Sequence, residues 1–124
     1  MADRAKAGIS HDTFVRLGLV LPTVEESTSY GTHALKAKGK LIARLKEDGK
    51  TVVLRSSWEA REERMAVYPE AFYLTDHYRA HPWVLMRLAA VSESIAAAAL
   101  AHAWQEVQPK PRPAKSPRRG QSAA

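Results

Sequence analysis

The stretch KLIARLKEDGKTVVLR, residues 40 to 55, leaves this chain little freedom in how it folds. Apolar residues alternate with others on both sides of Asp48-Gly49. An Asp-Gly pair in that setting predicts a two-residue hairpin turn with positive φ at both turn positions. Pairing outward from the turn sets Leu45 opposite Val52 and Ala43 opposite Leu54. With Leu41, these residues form the predicted core face. Ile42, Arg44, Lys46, Thr51, Val53 and Arg55 fall on the other face. Side chains alternate with period two, so a slip of one residue would invert both sets.

The preceding residues have to respect the same faces. Treating Lys38-Gly39-Lys40 as a three-residue loop pairs Ala37 with Leu41 and Leu35 with Ala43, which keeps all four in the core. Lys36 then joins Arg44, Lys46 and Arg55 in an outward basic strip, with Lys38 and Lys40 at its tip. The expected meander therefore has three strands, entered from a loop, TVEESTSYGT.

Helices are expected on either side of the meander. Ser10 is a predicted N-cap, followed by Phe14, Leu17 and Leu21 at helical spacing, and Pro22 stops that helix. Ser56 with Glu59 forms a capping-box pattern for a second helix running to about Tyr68. Its Trp58 and Met65 are expected to face the core, and Arg61, Glu62, Glu63 and Arg64 to form a solvated face. Residues 71–74 and 83–88 read as two further strands separated by a loop containing Pro82. Ser92 caps a last helix to about Val107, with Leu100, Trp104 and Val107 as its stripe. The fold class expected is α+β: one domain over residues 10–107, an antiparallel sheet with helices on one face, in the order α-β-β-β-α-β-β-α. Residues 1–9 are expected to be flexible. Residues 108–124, QPKPRPAKSPRRGQSAA, hold four prolines and no large apolar side chain, and are expected to be disordered.

Composition narrows the function. There is no cysteine, which excludes disulfides, thiolate metal sites and cysteine nucleophiles. No signal-peptide run opens the chain, and no stretch is apolar enough to span a membrane, so a cytoplasmic protein is expected. The formal charge of +6 comes largely from Lys110, Arg112, Lys115, Arg118 and Arg119, because residues 1–107 hold 14 basic and 13 acidic side chains. Any attraction of the domain for polyanions must then come from local arrangement.

Certain blocks resemble the MmcQ/YjbR family of small bacterial proteins. These are Leu21-Pro22-Thr23-Val24-Glu25-Glu26, Ser29-Tyr30-Gly31 with Leu35-Lys36-Ala37 and Lys40 to Leu45, and His77-Tyr78 with Trp83-Val84-Leu85-Met86-Arg87-Leu88. The likeness covers roughly residues 10–107 and departs from the family's pattern at His33, Ala34 and Leu35. It implies a frataxin-like α+β fold of a kind described as a double-wing DNA-binding arrangement. It carries over no catalytic residues.

Two candidate sites follow. Lys36, Lys38, Lys40, Arg44, Lys46 and Arg55, with the five tail cations, have the spacing phosphate binding needs. Without Asn anywhere in the chain, base-specific readout is not expected. The leading expectation is therefore a non-enzymatic DNA-binding protein with little sequence preference, a monomer without cofactor. The alternative is a small-ligand-binding or enzymatic domain whose cleft is walled by Tyr30, Tyr78 and Trp83. His77 and His81, four apart but in a loop, read as a surface pair rather than metal ligands. Ser27, Ser29 and His33 lack a nucleophile elbow. Ser116-Pro117-Arg118-Arg119 suits nonspecific nucleic-acid contact.

Overall fold

Ser10 starts the first helix as its N-cap, its hydroxyl oxygen accepting a hydrogen bond from the Thr13 N–H at 3.0 Å. The structure, a computed structural model, describes residues 8–109. Helix α1 spans His11–Leu19, and four strands follow: β1 Val24–Ser29, β2 Thr32–Ala37, β3 Lys40–Leu45 and β4 Thr51–Arg55. Helix α2 (Trp58–Val67) leads to β5 (Phe72–Tyr73), the one-turn α3 (Asp76–Arg79), β6 (Trp83–Arg87) and α4 (Glu93–Glu106). The six strands form one antiparallel sheet in the order β1-β2-β3-β4-β6-β5. This is an α+β fold in a single domain.

The β3–β4 register is the one expected, with Leu45 opposite Val52 and Ala43 opposite Leu54. Its turn differs from the expected type. Gly49 has φ of 71°, but Asp48 is not in the left-handed region. Lys46 N–H donates to the Thr51 carbonyl at 2.8 Å, closing a four-residue loop. Within it the Asp48 carboxylate accepts from Lys50 N–H, Thr51 N–H and the Thr51 hydroxyl. Four loop residues and two keep the same parity, so the faces survive.

The three-residue loop expected before β3 is overturned. Lys38 and Gly39 take φ of 52° and 82°, the positive pair of a two-residue turn whose twist matches the strands, and Ala37 pairs with Lys40. Lys36 then lies opposite Leu41, while Leu35 still pairs with Ala43. The extra residue, Ile42, is a β-bulge that restores the register. Ile42 is consequently buried in the core, and Leu41 turns to the opposite face, the reverse of the expectation for both.

Strand β1 was expected to be loop. It is an edge strand, paired with β2 from Val24↔Ala37 to Ser29↔Thr32 across a turn in which Tyr30 and Gly31 have φ of 53° and 79°. Its Glu-rich sequence hides it, because polar residues on an edge deter further pairing and carry no hydrophobic alternation.

Helices α1 and α4 cover one face. Phe14, Ala96, Ala99, Leu100 and Ala103 pack on Leu35, Ile42, Ala43, Val52, Leu54, Val84 and Met86. The alanines of α4 and Gly18 of α1 allow close approach: a Cβ added at Gly18 would lie 2.5 Å from Leu35 Cδ1. Trp104 of α4 donates its indole N–H to the Pro22 carbonyl at 2.7 Å. Helix α2 is capped by Ser57, one residue beyond the expected Ser56. Its Met65 does pack against the core, but Trp58 is half exposed. Gly8 and Ile9 belong to the fold rather than to a flexible start, bonded through their N–H groups to the Val91 and Leu88 carbonyls.

His33 joins α1 to the hairpin of β1 and β2. Its Nε2 is 2.9 Å from Glu26 Oε1, and its Nδ1 is 3.0 Å from His11 Nε2. With both rings neutral, the chain is satisfied when His33 donates to Glu26 and accepts from His11. Partial burial, reinforced by the neighbouring His33, holds the His11 imidazole below its ordinary 6.5, against the opposing charges of Asp12 and Glu26.

Two outcomes follow from this packing. Gly18→Ala should destabilise the protein by ~1–3 kcal/mol, because crowding of the buried Leu35 outweighs a helix-propensity gain of up to ~1 kcal/mol. A urea midpoint at or above the wild-type value would show that Leu35 moves aside freely. For His11, the unfolded chain binds a proton more readily than the folded one. Its contribution is complete above pH 6.5 and is lost as pH falls below that value towards the lowered folded pKa. Between pH 7 and 5, the thermal midpoint of His11→Gln should fall less steeply than that of the parent. Parallel slopes would refute the linkage.

Candidate ligand-binding cleft

The sheet face opposite α1 and α4 is built from alternate residues. Pairing places Ala34 and Lys36 of β2, Leu41 and Arg44 of β3, Val53 and Arg55 of β4, Trp83, Leu85 and Arg87 of β6 and Tyr73 of β5 there. Val53 and Leu85 are buried yet stand apart from the main core, because α3 and its flanking loop cover this side. The expected arrangement of helices on one face thus holds for the long helices but not for this turn.

Arg61 of α2 holds the α3 segment in place. Only 5% exposed, its guanidinium donates to the carbonyls of His81 at 2.8 Å, Trp83 at 3.1 Å, Arg79 at 3.1 Å and Tyr78 at 3.5 Å. The Trp58 ring lies 4.3 Å from its Cζ. The solvated role expected for Arg61 is overturned. A planar fork with five donors can gather several carbonyls that a lysine could not.

The loop so fixed completes a cleft of about 530 Å³ with Tyr30, Leu41, Arg44, Val53, His77, Tyr78, His81 and Trp83 on its walls and floor, and with Glu47 as its one carboxylate, beside Arg44. The three aromatic residues named from the sequence are therefore brought together, from the tip of the β1–β2 hairpin, α3 and the start of β6. Each ring has a cation beside it. Arg44 Cζ is 5.1 Å from the Tyr30 centroid, Lys46 Nζ is 6.0 Å from Tyr78, and Arg55 Cζ is 4.6 Å from Trp83. Further along the same face, Arg87 Cζ lies 4.0 Å from the Tyr73 centroid, a pair the sequence did not single out.

The basic strip is divided by the structure. Lys38 and Lys40 are exposed at the β2–β3 tip, and Lys36 and Lys46 are half-exposed. Arg44 is only 8% exposed, donating to the Tyr78 hydroxyl at 3.1 Å, Thr32 Oγ1 at 3.3 Å and the Leu45 carbonyl at 3.4 Å, with Glu47 at 3.7 Å. Arg55 Nε donates to the Leu41 carbonyl at 2.8 Å, and burial draws its guanidinium pKa below the usual arginine range against the pull of Glu106. Both arginines are on the outer face, as expected, but form part of its framework. Lys110, Arg112, Lys115, Arg118 and Arg119 lie outside the described residues. His77 and His81 line the cleft, and among the described residues no three His, Cys, Asp or Glu side chains are arranged to hold a metal ion.

The fold and this face define a small α+β domain with an open antiparallel sheet whose side opposite α1 and α4 carries a cation-and-aromatic cleft. Residues 19–106 match the family model described as YjbR, and the chain belongs to the YjbR family. It is similar to the crystal structure of the Deinococcus radiodurans protein DR2400, from family DUF419. The identity is 20%, over 79% of this chain and 78% of that one, with a TM-score of 0.67. At that identity the likeness shows a shared fold. No curated protein matches the chain.

Arg61→Gln should cost ~3 kcal/mol or more, because several buried carbonyls lose their donor together. Arg61→Lys should recover only a fraction of that loss. A chemical-denaturation difference below ~1 kcal/mol for Arg61→Gln would show that water replaces the guanidinium at little cost.

Proposed function

We propose that this protein is a non-enzymatic nucleic-acid-binding protein with little sequence preference, acting in the cytoplasm through the outer face of its sheet. One observation carries this reading: four cation–ring pairs lie on one sheet face, bordered by Lys36 and by Lys38 and Lys40 at the hairpin tip. Lysines set around a surface neutralise phosphates, and exposed rings take up bases of any identity. The frataxin-like, double-wing arrangement implied by the family resemblance is compatible with this use. The five cations between Lys110 and Arg119 add a second contribution, with no acid among residues 108–124 to oppose it. Among the described residues no helix is long and apolar enough to cross a membrane.

A second reading has an observation of its own. A 530 Å³ cleft with a buried guanidinium in its wall has the dimensions and polarity of a small-molecule site. A free aromatic anion would then be the ligand, with Tyr30, Tyr78 and Trp83 as its walls.

Fluorescence titration with mixed DNA at two salt concentrations separates these contributions. Removing residues 108–124 should weaken binding but leave a complex whose salt slope corresponds to ~0.9 counterions per phosphate contact. Lys36, Lys38, Lys40 and Lys46 changed together to glutamine should abolish what remains, while Arg44 is left intact for its part in the framework. Affinity that resides wholly in the tail, untouched by those four changes, would refute use of the sheet face.

A further inference from the structure

We infer that the cleft is a subsite for one unpaired nucleobase, so that the protein favours single-stranded nucleic acid over duplex; this rests on the nucleic-acid reading above. The inference starts from Tyr30. It has φ of 53°, a left-handed conformation that costs an L-residue free energy, at a turn position where glycine or asparagine would be unstrained. Its side chain is 84% exposed. A large ring in a strained backbone position, left in water, gives the fold little in return. Such residues persist where the strain serves a contact outside the fold. Here the ring stands at the mouth of the cleft, opposite Trp83 and Tyr78, with Arg44 against one side.

The chemistry of the occupant follows from the lining. Rings and apolar side chains (Leu41 and Val53) offer area to a flat, weakly polar group. Glu47 is paired with Arg44, and Lys46, with the positive potential of Arg44 and Arg55 behind it, suits the anion attached to that group. A base carrying its phosphate has both parts. Inside a duplex both faces of each base are already stacked on neighbours, so along its length only an unpaired base can present a face to Tyr30. The lysines at the rim are indifferent to strandedness, and the cleft supplies the discrimination.

The test compares dodecamer oligothymidylate carrying one central 2-aminopurine with a blunt DNA hairpin of equal phosphate number. The expected result is tighter binding of the single strand and a change in 2-aminopurine emission on binding. Tyr30→Ala should weaken single-strand binding roughly 10- to 100-fold, the range expected for loss of one stacked base. Hairpin binding should weaken less than single-strand binding, so that the preference narrows, and Tyr30→Phe should retain the preference. Tyr30→Gly should raise the thermal midpoint while lowering single-strand affinity, since it relieves the strained backbone and removes the ring. Equal binding of both probes, with Tyr30→Ala silent, would overturn the base subsite and leave the nucleic-acid reading standing. Failure of both probes to bind at low salt would overturn that reading itself. Displacement of the oligonucleotide by free thymidine monophosphate at comparable affinity would overturn the subsite in favour of the small-ligand reading.

Discussion

A buried guanidinium answered by carbonyls rather than carboxylates governs the outer half of this molecule. Arg61 collects four main-chain oxygens between Tyr78 and Trp83, and so gives a loop that has little regular structure a fixed path. Carbonyl dipoles compensate a buried charge only when several converge, which makes the arrangement all-or-none. The consequences travel outward in a continuous chain of bonds. Arg61 fixes Tyr78, whose hydroxyl accepts from Arg44. Arg44 also donates to Thr32, whose hydroxyl donates to the Ser29 carbonyl beside the Tyr30 turn. Helix α2 and the far hairpin are thus connected across the sheet by hydrogen bonds.

The two faces of the sheet are held by different physics. Beneath α1 and α4 the packing is aliphatic and tight, set by small residues that let helix and sheet approach. On the other side polar groups bond to one another over a thinner apolar layer. The resulting surface combines rigid positioning with access to solvent, as a binding face requires. Arg44 and Arg55 illustrate the division of labour. Their positive charge contributes to the potential over the cleft, while their hydrogen bonds are spent inside the protein. Direct phosphate contact is left to the lysines in the proposed reading.

Much of this architecture was legible in the sequence wherever two signals agreed. The β3–β4 register followed from alternation on both sides of one turn, and Ser10 and Ser92 serve as caps where hydroxyls precede helical spacing. The meeting of Tyr30, Tyr78 and Trp83 was legible as an alternative, though not as the preferred site. What escaped had physical causes. Strand β1 is polar on an edge and shows no alternation. Ile42 could not be placed because parity arguments assume an unbroken ladder. Arg61 occurs in a run of charges, REER, and nothing local marks the one member that turns inward to meet carbonyls about 20 residues away. The signal available was Trp58 three residues earlier, a ring suited to covering a guanidinium.

The bulge at Ile42 has a bearing on how such a chain can change in length. Within a regular strand, loss of a single residue reverses inside and outside for everything beyond it. At Ile42 the count already contains one residue more than the ladder uses. A chain lacking that position would pair Leu41 and Ala43 with their present partners, Lys36 and Leu35, in unbroken succession. Both faces would keep their assignments on either side of the gap, and the loss would be confined to one aliphatic group. The strand therefore carries an internal point of length tolerance, of the sort usually found only in loops, placed between a fixed turn and a fixed core.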